Sequence, residues 1–526
     1  MKKGVITIYL AITFSVLLSL ILGAIEAAKY SAYRVICESA FQCAVVSAFG
    51  EYNKELLKQY DLLYIDLSYM TNQVSYRALT DRVEKYMNEN LGEPESRLLF
   101  AKDFFGTGTA TVSLTDAQMA SDIFGSDLRK QAVEYTKDEI GVDFANDFLS
   151  LIRIKKEYDL DGESFKRRKE ELDNAAQEAV SDADETVNDM DSWVAGQEEI
   201  VAGKESEEVK TIKSSLHQDL EMTYIRPFTA FVLGDNVWDV SGKHFNFLDA
   251  PSFRLSSNLG NSKDEYGEVE NDPLADVYFT EYIVRKTGNY IHRKENSYLQ
   301  YEAEYIYGGR NNDSENLGLV VESIYFIRCA ANFISLERDK EKKEIVDEIA
   351  KGISALVKVP APVVSALIMC MWAAGESTYD MDELYKGDRV ELIKDADKFH
   401  LSIQGGLQNL LADLSFSGTG KNKPALPGGN QTALAEDTEL GTYSANSKTP
   451  GISIRLSYTD YLRILIYLMP SPVKSLRMMD IIEMDILNTG GNENFRIDWC
   501  LDGAIFEAVV ESSFGAKYVI NRRYGY

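Results

Sequence analysis

Apolar positions along this chain form three kinds of pattern: continuous, helical and alternating. The continuous one comes first. Gly4 to Ile25 is a run of 22 residues without a charge, preceded by Lys2 and Lys3 and followed by Glu26, Lys29 and Arg34. A helix rises about 1.5 Å per residue, so this run reaches about 33 Å, enough to cross a hydrocarbon core of roughly 30 Å. It predicts a membrane span. The run exceeds the 7–15 residues of a signal h-region, and Gly23-Ala24-Ile25-Glu26-Ala27-Ala28 offers no clean cleavage pair, so it reads as an uncleaved anchor rather than a secretory signal.

Helical spacing follows. Tyr33, Cys37, Ala40, Ala44, Ala48, Tyr52 and Leu56 recur every three or four residues, with no proline between Glu26 and Tyr60. The stripe predicts an amphipathic helix over 26–60, either continuing the span or packed separately, with a weak point at Gly50. Further on, Leu62–Leu67 reads as extended, Ser75–Leu91 as a helix stopped by Pro94, and Ala110–Ala117 as a strand. Residues 121–221 read as helical. Within them, Glu157 to Glu208 holds 18 acidic residues against 5 basic ones, which predicts a solvated acidic helical arm.

Alternation is cleanest at Leu299–Tyr307, where Leu299, Tyr301, Ala303, Tyr305 and Tyr307 share one parity, and it predicts a strand closed by Gly308-Gly309. Asp313 or Ser314 then caps a helix with apolar positions Leu317, Val320, Ile324, Ile327, Ala331 and Ile334. Val359–Gly375 is a second uncharged run of 17 residues, with Pro360 and Pro362 near its start. That length is marginal for a membrane, and a buried core helix is the expectation. Residues 415–450 are a polar loop. Ile452–Leu468 reads as strand then helix, Val473–Leu487 as helix, and Ala504–Ser513 with Lys517–Tyr524 as a hairpin.

The expected fold class is α+β. Its parts are a cytoplasmic N-terminus (1–3), a transmembrane helix (4–25), an amphipathic helix continuing the anchor (26–60) and a small α+β segment (61–120). A helical region with an acidic arm (121–221), an α+β core (222–414), the polar loop (415–450) and a strand-helix-hairpin segment completing the core (451–526) follow. The positive-inside tendency of Lys2 and Lys3 holds the N-terminus in the cytoplasm and places the body outside.

Charge narrows the partners. The 55 basic and 83 acidic side chains leave a net charge of −28, which repels nucleic acid and anionic lipid surfaces, so no nucleic acid is expected. The 45% apolar content supplies ample core. Five cysteines, Cys37, Cys43, Cys329, Cys370 and Cys500, are too few and too scattered to imply a disulfide framework, although a single bridge stays open.

No catalytic, cofactor-binding or metal site is predicted. His217, His244, His292 and His400 are far apart and lack ligand partners at metal spacing. Gly418-Thr419-Gly420-Lys421 misses the first glycine and the closing Ser or Thr of a phosphate loop, and Asp159-Leu160-Asp161-Gly162 reads as a turn rather than a calcium loop. Ser377, in Gly375-Glu376-Ser377-Thr378, lacks the second glycine of a nucleophile elbow. Asp380 and Asp382 form a carboxylate pair that 83 acidic residues yield by chance.

Lys3-Gly4-Val5-Ile6-Thr7-Ile8-Tyr9, the span, and Ile25-Glu26-Ala27-Ala28-Lys29 with Arg34 resemble the anchor of TadE/TadG-like proteins, pseudopilin-like components of tight-adherence (Flp) pilus assembly. The longer chain resembles an uncharacterised Gram-positive family with such an anchor, often encoded beside pilus or type II secretion-like genes. Gly50-Glu51-Tyr52-Asn53, Trp372-Ala373-Ala374, Asp460-Tyr461-Leu462-Arg463 and Arg523-Tyr524-Gly525-Tyr526 are among the segments that carry it. Prepilins cut after a glycine carry a glutamate five residues on; here the residue five after Gly4 is Tyr9, which favours a stationary component over a major pilin.

The resemblance implies a non-enzymatic accessory part of a pilus or secretion apparatus, held in the bilayer through 4–25, with protein partners in that machine. The competing expectation is an anchored surface hydrolase or glycan-binding protein.

Overall fold

A 48-residue helix organises the N-terminal part of the chain. The computed structural model describes residues 2–69, 71–91, 108–172, 174–175, 240–256, 272–357, 359–401, 454–512, 515 and 517–526. In chain order these hold α1 (Lys2–Phe49), α2 (Lys54–Tyr60), β1 (Ile65–Asp66), α3 (Tyr76–Leu91), β2 (Ala110–Met119), α4 (Ser126–Glu139) and α5 (Val142–Glu157). Next come α6 (Pro251–Ser256), α7 (Pro273–Lys286), α8 (Glu302–Gly308), α9 (Asp313–Arg338), α10 (Lys340–Val357) and α11 (Ala361–Tyr385). Then follow β3 (Val390–Glu391), β4 (Arg455–Leu456), α12 (Tyr458–Tyr467), α13 (Ser471–Leu487), β5 (Cys500–Glu511) and β6 (Lys517–Gly525). The fold is mixed α+β and mostly helical. It divides into a first unit (1–132, 250–269 and 482–526) and a second (133–249 and 270–481).

In the first unit, α1 has two halves. Ile6 to Ile25 is exposed, with Leu10, Phe14, Leu17 and Leu20 each more than half accessible, whereas Tyr33, Cys37, Ala40, Ala44 and Ala48 are buried. The buried stripe lies against an antiparallel sheet in which β5 is central, β2 flanks one side, and β6 and β1 flank the other. Period-two alternation sends Ala504, Phe506, Ala508 and Val510 inward, together with Ile520 of β6 and Ala110 of β2. The Tyr33 hydroxyl donates to the Val510 carbonyl at 3.2 Å, and the Phe49 ring packs edge-on against Phe506. Leu79, Val83 and Met87 of α3 close the same core. A bulge between Leu114 and Asp116 shifts the β2 register on β5.

The expected helix over 26–60 is interrupted. α1 ends at Phe49, Gly50 and Glu51 turn, and Asn53 starts α2 by accepting from the Glu55 and Leu56 amides at 3.1 Å. A side chain able to satisfy the first free amides of a helix makes a new start there more favourable than continuation.

The second unit is built on α9 and α11, with α10 beside them; every residue of α12 from Tyr458 to Ile466 is buried. Asn312, not Asp313 or Ser314, caps α9, accepting from the Glu315 amide at 2.8 Å. Both α9 and the apolar run at 359–375 are core helices: α9 is long and apolar enough to cross a membrane, yet 67% of its most apolar window is buried. In α11, Val364, Ile368, Met369, Cys370, Trp372 and Ala373 are likewise buried.

The predicted strand at Leu299–Tyr307 is instead α8, a helix over Glu302–Gly308. Its alternation does not separate a wet face from a dry one, because all positions from Tyr301 to Ile306 are buried. Glu302 and Glu304 face inward and accept from the Gly288 and Tyr290 amides, each at 2.8 Å. Gly309, at φ +63°, ends the helix with its N–H on the Tyr305 carbonyl.

None of the five cysteines is in a disulfide. Asp159-Leu160-Asp161-Gly162 forms a turn from α5 into a further helical stretch at 162–172. Most of the acidic arm, the 415–450 loop and Gly418–Lys421 lie outside the described residues.

Candidate functional site

Two places stand out: the exposed half of α1 and a buried charge network in the second unit. In the first, an 18-residue window of the helix has a mean hydropathy of 2.4 and no buried share. Isolated in water, that surface would cost about 25 cal/mol per Å² of apolar area. It calls for an apolar environment.

The network begins in the middle of α9. Arg328 sits among Ile324, Ile327 and Ala331, all buried, and is itself inaccessible. Its Nε and Nη2 donate to Asp380 Oδ2 at 2.9 and 2.8 Å. Nη1 donates to the carbonyls of Glu391 and Leu392 at 2.9 Å and to the Tyr461 hydroxyl at 3.0 Å. One guanidinium thereby joins α9, α11, α12 and the end of β3 with the residue that follows it. The planar fork suits this task, since five N–H groups leave in fixed directions.

On α11, Glu376, Ser377 and Asp380 occupy one face, and all three are buried. Lys394 Nζ lies 2.5 Å from both Glu376 Oε1 and Asp380 Oδ1. Asn332 donates to Asp380 Oδ2 at 2.7 Å and to Ser377 Oγ at 3.0 Å. Glu376 Oε2 accepts the Leu401 amide at 3.0 Å. Two cations thus meet two carboxylates, which is the balance that burial demands. Burial pushes the Asp380 carboxyl upward, but Arg328 and Lys394 outweigh it and hold the group below the ordinary carboxylate range.

The network reaches the surface at His400. Its Nδ1 is 3.0 Å from Glu376 Oε1, and its ring stacks on Tyr379 at 5.2 Å. Of the residues screened from sequence, the structure gathers His400, Ser377 and Asp380 here; His244 and His292 lie elsewhere, Asp382 pairs with Lys386, and His217 is outside the described residues. Ser377 donates its hydroxyl proton to the Ala373 carbonyl at 2.6 Å and accepts from Asn332, which links α11 to α9. Among the described residues no group of His, Cys, Asp and Glu is arranged to hold a metal ion. Sequence reading missed Arg328, Asn332 and Lys394, although an arginine inside an apolar helical stripe was a visible sign of a buried partner.

A second buried carboxyl lies on α8. Glu304 accepts from the Tyr458 hydroxyl at 2.7 Å and from the Tyr290 amide, inside a ring of Tyr290, Tyr385 and Tyr458. Burial raises its pKa to about 7, partly offset by these two donors.

Residues 204–512, more than half of the chain, match a family described as a family of unknown function, DUF5702. The chain belongs to this family. No curated protein and no solved structure matches it. The DUF5702 match takes in the whole Arg328 network, Glu304 and β5, whereas α1 and β2 precede it. The charge network is therefore a feature of the family region, and the apolar helix is joined to that region through the sheet in which β5 pairs with β2.

Proposed function

We propose that this DUF5702 chain is a single-pass membrane protein whose acidic body, displayed outside the cell, serves as a non-enzymatic accessory part of a Tad/Flp-type pilus or type II secretion-like apparatus. The observation that carries the reading is the division of α1, one unbroken helix that leaves its apolar half bare and buries the rest in its own sheet. A bilayer would supply the missing apolar surroundings, and the buried half would fix the body directly to the anchor. Lys2 and Lys3 favour a cytoplasmic N-terminus. The TadE/TadG-like resemblance of the first 50 or so residues supplies the type of machine, and Tyr9 in place of a glutamate favours a stationary component.

Crosslinking in intact membranes, followed by identification of the captured neighbours, tests the assignment. A secretion ATPase, a polytopic platform protein or small pilins among the products are expected. Capture of only cell-wall polymer or substrate-processing partners would overturn it.

A further inference from the structure

The Lys394 site has more chemistry than an ion pair requires. We propose that Lys394 and Asp380 condense to an intramolecular amide, with Glu376 as the proton shuttle. Three features of the site carry this, independently of the membrane reading.

First, the amine and the acid are already together and sheltered. Nζ is 2.5 Å from Asp380 Oδ1, the Lys394 side chain is 7% exposed and Asp380 is inaccessible. The Phe399 ring covers Nζ at 5.3 Å and is itself packed edge-on against Trp372. Holding two reactants in contact replaces a bimolecular encounter and provides effective molarities of about 10⁵ M or more when the geometry is right. Exclusion of water also removes the competing hydrolysis of the product.

Second, the other oxygen of Asp380 is surrounded by donors. Oδ2 receives Arg328 Nε, Arg328 Nη2 and Asn332 Nδ2 at 2.9, 2.8 and 2.7 Å. Three fixed N–H groups on one oxygen form the arrangement that stabilises the charge of a tetrahedral intermediate. Third, Glu376 Oε1 lies 2.5 Å from the same nitrogen, placed to take its proton.

The step balances without any co-reactant. The Lys394 ammonium passes one proton, through Glu376, to Asp380 Oδ1, and the free amine forms a C–N bond to Cγ of the neutral acid while negative charge gathers on Oδ2 under Arg328 and Asn332. Glu376 takes a second proton from the nitrogen and delivers it to Oδ1, the Cγ–Oδ1 bond breaks, and Oδ1 departs as water. Ammonium plus carboxylate becomes amide plus water, with no oxidation or reduction. Arg328 and Glu376 remain as a neutral pair. The product would tie α11 covalently to the segment after β3 in a chain whose five cysteines form no disulfide.

Peptide mapping by mass spectrometry of the full chain, taken from membranes and digested under denaturing conditions, tests the proposal, and processing at the N-terminus does not affect it. The expected result is a branched peptide joining the fragments that contain Asp380 and Lys394, lighter by one water than their sum. Lys394→Arg should release the two linear fragments. Glu376→Gln should do the same or slow branching by tenfold or more while Asp380 and Lys394 are both present, a loss that a packing role for Glu376 would not cause in protein that remains folded by circular dichroism. Asp380→Asn should give the same branched product as the parent chain, since ammonia leaves in place of water. Recovery of separate, unmodified Asp380 and Lys394 fragments from the parent chain would overturn the proposal, whatever the variants do.

Discussion

Glu304 is a carboxyl in the wrong solvent. It is wholly buried, and among the described residues no cation pairs with it; Tyr290, Tyr385 and Tyr458 surround it, the charge of Asp313 adds to the rise, and Lys294 approaches Glu302 rather than Glu304. Its pKa of about 7 in the fold, against 4.5 for the ordinary side chain, means that the folded chain holds a proton which the unfolded chain releases. Because the folded value is the higher one, the contribution to stability is complete below about 4.5 and is lost as pH rises through about 7. The difference amounts to up to about 3 kcal/mol. Glu304→Gln, which keeps an acceptor for Tyr458, should flatten that part of the pH dependence, as read by urea unfolding of the detergent-solubilised protein between pH 5 and pH 8. A variant that tracks the parent at every pH would show that Glu304 is ionised throughout.

The same scale shows what a sequence displays of such a site. Glu376 and Asp380 stand four apart on a helix, but with 83 acidic residues in the chain that spacing had no weight without a partner. Arg328 was the better clue. A charge at one position of an otherwise apolar stripe costs too much to bury alone, so it signals that acids from another element arrive there.

At the scale of elements, legibility followed the range of the interactions. Helices with a clear stripe, such as α3 and α13, and the β5–β6 hairpin are local patterns and were readable. The pairing of β2 with β5 joins Ala110 to Val510, and nothing in either strand announces a partner so distant along the chain. The alternation in α8 misled for a different reason: two glutamates that read as the wet side of a strand are buried caps of loop amides.

The seam between α1 and its sheet makes a prediction at this level. Ala44 is fully buried in the core that α1 shares with α3 and the sheet, so a larger side chain has nowhere to go without pushing α1 away from its neighbours. Ala44→Leu should destabilise the first unit by about 1–3 kcal/mol, seen as faster protease cutting of the β5–β6 hairpin in detergent. A substitution at exposed Val46 should leave the rate unchanged.

For the whole molecule, the organising fact is that one helix has an exposed apolar half and a buried half. The exposed apolar half was the most legible feature of the sequence, because an uncharged run of 22 residues needs no tertiary context to interpret. The second unit shows why such runs require a structure to sort them. α9 also passes by length and composition, but it carries Arg328 into a buried ion pair and belongs to a core.

The most direct test of this account is fractionation of cells expressing the full chain, with an alkaline wash of the membranes and protease applied from outside. The account predicts that the intact chain stays with the washed membranes, that external protease removes the body, and that deletion of residues 4–25 releases it. Recovery of the intact chain in the soluble fraction, or loss of the N-terminal helix from the mature protein, would contradict it.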